Sequence, residues 1–199
     1  MALLESRVPA DPLALFRRWY REAERKGALQ PEAMALATAD ARGKPSVRMV
    51  LFKGLDRDRF RFYSNYESLK GRDLIANNRA ALVFYWPALR HQVRVSGRVS
   101  RLPRSASVAY FNSRPRGAQL SALASRQSRV VRSRAQLERA VAKLEQRYPD
   151  DVPLPSDWGG YALKPDWIEF WENRADRLHD RLRYVRARGG TWRLERLSP

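Results

Sequence analysis

Cysteine is absent from this chain of 199 residues. Disulfides, thiolate zinc sites, iron–sulfur clusters and thiol nucleophiles are thereby excluded. Histidine is scarce. His91 and His179 lie far apart, so an HExxH zinc arrangement is excluded and no metal is expected. No apolar run approaches the roughly 18–20 residues that a membrane span needs. The start, MALLESRVPADP, has no basic segment followed by an apolar one. A soluble, cytoplasmic chain without a membrane partner is the expectation. The glycine signatures GxGxxG and GxxxxGK[ST] are missing, as is GxSxG, so any bound nucleotide or flavin is held without a Rossmann or P-loop device. Acid is the scarcer charge: 21 Asp and Glu stand against 39 Lys and Arg, a formal net charge of +18. That excess favours anionic partners, whether nucleic acid, a membrane surface or phosphorylated small molecules.

What is present is an ordinary globular composition, 44% hydrophobic and 30% charged, enough for a single domain over residues 1–199. Asp11, Pro12 and Gly27 punctuate a helix over 11–26 as cap, first helical residue and stop. Residues 33–39, 46–53 and 60–64 read as three strands separated by short turns, which predicts an antiparallel meander. A short helix over 67–78 precedes an apolar strand at 80–86. The strand at 91–102 alternates Val93, Val95 and Val99 with Gln92, Arg94, Ser96 and Arg98. Helical pieces are expected near 104–112, 115–124 and 133–148. Ser133 and Gln136 form a capping box for the last, whose stripe is Leu137, Val141, Leu144 and Tyr148. Residues 161–171 are strand-like with Pro165 as an interruption, and a hairpin around Gly189-Gly190 ends the chain. Seven or eight strands and four or five helices make an α+β chain on an antiparallel sheet, closed into a small barrel.

Several stretches could carry chemistry. In RMVLFK, Arg48 and Lys53 bracket an apolar strand and could each hold a phosphate; solvated flanking charges are the competing reading. In YSNYESLKGRD, Ser68 and a helix start offer free N–H groups to an anion, with Lys70 adding charge. An ordinary capped helix would look the same. In YFNSRPRGAQ, Arg114 and Arg116 straddle Pro115, and arginine grips phosphate through a forked donor pair. Arg177, His179 and Arg181 are spaced two apart, so an extended chain would aim all three to one face, with Trp171 as a nearby flat wall. No convergent carboxylates and no nucleophile–base pair accompany these groups. Acid–base hydrolysis is disfavoured, and a cofactor would carry the reaction.

Read in order from PADPLALF (9–16) to WRLERLSP, the chain resembles the pyridoxamine 5′-phosphate oxidase family. The segments are RMVLFK, FYSN, SLKGR, RHQVRVSG, YFNSRPR, SRQS, PLPSDWGGY, IEFW and RLHDRLRY. Each is weak alone, and the nine in the family's order are specific. The resemblance implies an FMN-binding split β-barrel with peripheral helices. It implies a homodimer with two FMN sites at the subunit interface, a flexible start over residues 1–10, and a 173–199 segment serving dimerisation and the active site. Implied FMN contacts are Arg48, Met49, Val50, Leu51, Phe52, Lys53, Tyr63, Ser64, Lys70, Gln92, Gln127, Ser128, Trp171 and Arg181. Lys53, Tyr110 and Arg114 match the family's grip on the substrate phosphate, as does position 118. Arg177 and His179 match the pair that covers the substrate ring, and so the catalytic residues. The implied reaction, in vitamin B6 metabolism, oxidises pyridoxamine or pyridoxine 5′-phosphate with O2 to pyridoxal 5′-phosphate and H2O2.

The chain departs from the family pattern in four places. Leu69 stands where a cation is usual, His91 where Arg is usual, and Ala118 where a Ser hydroxyl is usual. The start lacks the Arg- and Tyr-bearing stretch that folds over the substrate. Two other readings compete. A phenazine-biosynthesis flavin oxidase would share fold and cofactor, but Lys53 and the intact YFNSRPR suit a phosphorylated substrate. A nucleic-acid-binding protein would suit the net charge, but the basic residues are dispersed and no recognition helix or RNP-like motif is present.

Overall fold

The computed structural model describes residues 3–199. In chain order its elements are α1 (Pro12–Arg25), β1 (Ala33–Ala39), β2 (Pro45–Leu51), β3 (Leu55–Asp56), β4 (Arg59–Asn65), α2 (Leu69–Ala76), β5 (Arg79–Trp86), β6 (His91–Arg101), α3 (Arg104–Asn112), α4 (Arg116–Ala124), α5 (Arg134–Arg147), β7 (Trp158–Glu172), β8 (Asp180–Arg186) and β9 (Trp192–Arg196). Among the described residues no helix is long and apolar enough to cross a membrane.

All strands pair antiparallel in one sheet, ordered β2-β1-β5-β6-β7-β4-β3, with β8 on β7 and β9 on β8. The long strand β7 organises it. One edge runs along β6. Along the other, Trp158–Leu163 pair with β4, and Trp167–Glu172 pair with β8. Pro165 falls in the gap between those two ladders, where its missing N–H leaves no bond unmade. The strand is therefore continuous through Pro165 instead of interrupted. Opposite, β6 bulges at Ser96/Gly97, and a Cβ on Gly97 would overlap the Lys164 carbonyl.

The expected meander is only half present. β1 and β2 form its hairpin, but β4 leaves to pair with β7. Closure comes just past β2, where Lys53 N–H donates to the Arg61 carbonyl at 2.8 Å and Arg61 N–H to the Gly54 carbonyl at 3.0 Å. The barrel interior is filled from α1. Asp11 caps that helix by accepting the Leu13 N–H at 2.9 Å, and Phe16 meets Phe52, Phe60 and Phe84 with ring centroids 4.9–5.4 Å apart. Trp19 stacks on His91 at 3.8 Å. The buried imidazole's pKa is pushed down to about 4, chiefly by desolvation, so it is a neutral core residue. A second cluster, Phe111, Leu120, Val152 and Trp158, anchors α3 and α4 beside the barrel. Residues 3–9 run against the C-terminal hairpin: Leu3 is buried and the Pro9 carbonyl accepts from the Tyr184 hydroxyl at 2.8 Å. Residues 1 and 2 of the start expected to be flexible lie outside the described residues.

Candidate active site

Strand β2 lies at the end of the sheet path, with α2, the end of α3 and the loop before α5 converging on it. Ser46 to Leu51, Lys53, Tyr63, Ser64, Leu69, Lys70, Tyr110, Arg114, Gln127, Ser128 and Trp158 enclose a cleft of about 590 Å³. Among the described residues four cations, Arg48, Lys53, Lys70 and Arg114, line it, and no carboxylate does.

Lys70 is drawn inward by the way α2 begins. Ser68 caps the helix, accepting the Gly71 N–H at 3.3 Å and donating to the Asn65 carbonyl at 2.7 Å. A Cβ on Gly71 would overlap the Tyr66 carbonyl, so only glycine lets the helix start this close to β4. Lys70 is buried, 7% exposed, and its amine lies among neutral oxygens: Gln127 Oε1 at 2.9 Å, Ser64 Oγ at 3.0 Å and Ser68 Oγ at 3.2 Å. Burial, with Arg48 nearby, brings its pKa down to about 8. A buried ammonium without a counter-ion is costly until an anion joins it.

Arg48 is held from behind. Its guanidinium donates to the Leu36 carbonyl at 3.1 Å, Thr38 Oγ1 at 2.7 Å and Ser46 Oγ at 2.6 Å, and buried Asp73 lies 3.7 Å away. Arg114 is held differently. It lies over the Trp158 ring at 4.9 Å and the Phe111 ring at 5.8 Å, and its Nη1 is buried without a hydrogen-bond partner. Aromatic faces fix such a cation without neutralising it. Tyr63 and Tyr110 stack at 3.9 Å, with Trp158 nearly parallel beyond them. Trp158 was not singled out by sequence reasoning; its one signal was its place in PLPSDWGGY. Arg116, by contrast, turns away to the carbonyls of Asp150 and Tyr148.

The cleft thus gathers Arg48, Met49, Val50, Leu51, Lys53, Tyr63, Ser64, Lys70, Tyr110, Arg114, Gln127 and Ser128. It does not gather the rest. Phe52 points into the barrel core, and Ala118 sits on α4 away from the lining. Gln92, Trp171 and Arg181 form their own group as cross-strand neighbours on β6, β7 and β8. Arg181 donates to buried Glu169 at 2.9 Å, and Glu169 also receives Arg94 at 3.1 Å. The expected extended row of Arg177, His179 and Arg181 is not there. Residues 175–177 make a tight turn with Asp176 and Arg177 at positive φ, and only Arg181 lies in a strand. His179 packs against Trp171, ring centroids 4.8 Å apart.

A buried amine without a counter-ion and a guanidinium nitrogen without a hydrogen-bond partner are both suited to phosphate-sized anions. A phosphate ester of FMN and a phosphorylated substrate meet that description, with Tyr63, Tyr110 and the apolar β2 side chains as walls.

Comparison with known proteins identifies the family. The family model described as pyridoxamine 5′-phosphate oxidase matches residues 21–148, and the pyridoxine 5′-phosphate oxidase C-terminal dimerisation region matches residues 158–199. The chain is similar to the pyridoxine/pyridoxamine 5′-phosphate oxidase of Salinibacter ruber, 53% identical over 99% of this chain and 93% of that one. The corresponding protein of Pseudomonas paraeruginosa is 50% identical over the same shares. Among solved structures, PhzG from Burkholderia lata 383, in complex with tetrahydrophenazine-1-carboxylic acid, superposes with a TM-score of 0.93 at 32% identity, covering 100% of this chain and 98% of that one. An FMN-binding protein of Nostoc punctiforme shares the fold, with a TM-score of 0.77 at 20% identity over 95% of this chain and 98% of that one. With both models matched in order and about half the residues shared with full-length relatives, the chain belongs to the pyridoxamine 5′-phosphate oxidase family.

Proposed function

We infer that this chain is an FMN-dependent oxidase of pyridoxamine and pyridoxine 5′-phosphate, working as a homodimer with O2 as electron acceptor and without a nucleic-acid partner. One observation carries the reading: a cleft lined by four cations and no carboxylate among the described residues, with the Lys70 amine held only by neutral oxygens and an Arg114 nitrogen left without a hydrogen-bond partner. The names of the relatives at about 50% identity support the same activity.

Bound FMN supplies a two-electron acceptor for the substrate carbon that becomes the aldehyde. The chain's own groups bind and orient. Lys70, with Ser64 and Gln127 fixed around it, is assigned to the FMN phosphate. Arg114, Lys53 and Tyr110 are assigned to the substrate phosphate, which anchors the substrate at the end remote from the reacting carbon. His179 Nδ1 accepts the Arg174 N–H at 3.2 Å, so in the neutral ring the proton sits on Nε2. With its Nδ1 engaged there, the ring is assigned to orienting substrate. Gln92, Trp171 and Arg181 do not line this chain's cleft. Arg177 and His179 do not line it either, and all five are assigned to the cleft of the second copy, consistent with the C-terminal dimerisation region that contains four of them.

Oxygen uptake by the flavin-loaded protein tests the reading. Turnover with pyridoxamine 5′-phosphate, and far less with unphosphorylated pyridoxamine, is expected. A protein that stays colourless with added FMN overturns it. Turnover of a reduced phenazine carboxylate in place of the phosphorylated amine favours the phenazine reading, to which the fold likeness also points.

A further inference from the structure

Two consecutive residues with side chains, Asp176 and Arg177, adopt left-handed backbone at φ 54° and 59°. Such conformations persist where the surroundings over-determine them. Here those surroundings include residues 3–5. Asp180, next to His179, accepts from three separate segments: the Leu3 N–H at 3.3 Å, Arg174 Nε at 2.7 Å and Arg196 Nη1 at 2.8 Å. Arg196 also takes both oxygens of Glu5, through Nε at 2.7 Å and Nη2 at 2.8 Å, and donates to the Leu3 carbonyl at 2.8 Å. Arg174 closes the circuit, since its guanidinium reaches Glu172 at 3.2 Å and its N–H fixes His179.

We propose that residues 3–9 brace the 174–179 turn, with Glu5 and Asp180 as positioning residues for Arg177 and His179. This rests on the orienting role given above to His179, with Arg177 paired to it by the family resemblance, and deepens it. Residues 3–9 lie along β8 and β9, where they lock a turn from outside. A lone exposed ion pair would do little. Glu5 is different because its partner is bidentate and shares Asp180 with the turn. The arrangement also explains why the spacing of Arg177, His179 and Arg181 misleads. The turn between them is set by contacts some 170 residues away along the chain (Leu3 to Asp180 is a separation of 177).

Hydrogen exchange on the as-purified holoenzyme, with kinetics on the same samples, tests the brace. Leu178 and His179 donate to the Ala175 carbonyl at 3.2 Å and the Arg177 carbonyl at 2.9 Å, so their amides report the turn. In Glu5→Ala and Asp180→Asn these amides should exchange roughly tenfold faster, the size of one lost charge-assisted bond. Glu5→Gln should lie between, and exchange in β1 and β5 should not move. The same variants should lose about three- to tenfold in kcat, with KM and FMN content nearly unchanged, because orientation and not phosphate binding is impaired. Unchanged exchange at 178–179 in both Glu5→Ala and Asp180→Asn overturns the brace. Faster exchange with unchanged kcat overturns the positioning role. Wild-type protein without oxidase activity overturns the functional reading instead, while exchange still reports the brace.

Discussion

Lys70 shows how one side chain can tie affinity and stability to pH in opposite senses. Its amine has come down from 10.5 to about 8, first through burial and then through Arg48. Between those values the unfolded chain holds the proton and the folded apoprotein does not. The cost of burying the charge is therefore complete below about pH 8 and fades as pH rises toward 10.5. Phosphate binding needs the charge, so it follows the reverse course. Apoprotein titrated with FMN should show level affinity from about pH 7, where the phosphate is a dianion, to about pH 8 and falling affinity above it, and Lys70→Met should remove the step along with much of the affinity. Affinity that stays level above about pH 8 in the wild type would take the anion seat away from Lys70. Arg114 makes a complementary case. Leaving one partner of a desolvated charge pair alone costs about 2–5 kcal/mol. Arg114→Ala should then raise KM for the phosphorylated substrate at least about 30-fold, at roughly 1.4 kcal/mol per tenfold. FMN content should be retained, since the cation sits over Trp158 and not beside Lys70. An unchanged KM would refute its assignment to the substrate.

At the scale of elements, β6 and β7 carry the most contacts that a single atom can spoil. Gly97 faces Pro165 in the register at the bulge, and any Cβ there meets backbone that cannot swing aside. Gly97→Ala should cost about 1–3 kcal/mol of stability, as overpacking does, read as a lower urea midpoint at unchanged slope. A midpoint equal to the wild type would mean that the two strands part easily at the bulge. The alternation of β6 was legible in the sequence because one of its faces is buried and the other half-exposed. The start of β7 was not, because Trp158 to Leu163 are buried without alternation and periodicity has nothing to report. The partner of β4 was equally hidden. A short turn between 46–53 and 60–64 suggests a meander, and only the pairing with Phe60–Asn65 across nearly a hundred residues decides otherwise. Of the candidate site, the residues carried by β2, β4, α2 and α3 were readable as motifs. The loop with Arg177 and His179 was readable as residues but not as geometry, for two positive φ values are invisible to spacing.

For the whole molecule, the net charge of +18 resolves into a local design: of the four cleft cations Arg48 alone has an ion pair among the described residues, with Asp73 behind it, whereas Arg181, Arg183, Arg186 and Arg196 are all spent on ion pairs. The cleft is also unfinished on one side. Val47 is 68% exposed, Met49 64% and Leu51 41%, all on a strand at the end of the sheet path, and all three line the site. Bare apolar edge strands invite pairing with another chain, and contiguous apolar surface marks an interface. If the second copy covers β2, then dimerisation and flavin binding share one surface and must fail together. Met49→Asp puts a charge on that surface without touching the barrel core. It should yield a monomer by light scattering and release FMN, while the far-ultraviolet dichroism of the folded sheet is kept. A dimer that holds its flavin despite the aspartate would place the interface elsewhere. A flavin-loaded monomer would break the link between the two, because the cleft of one chain would then suffice.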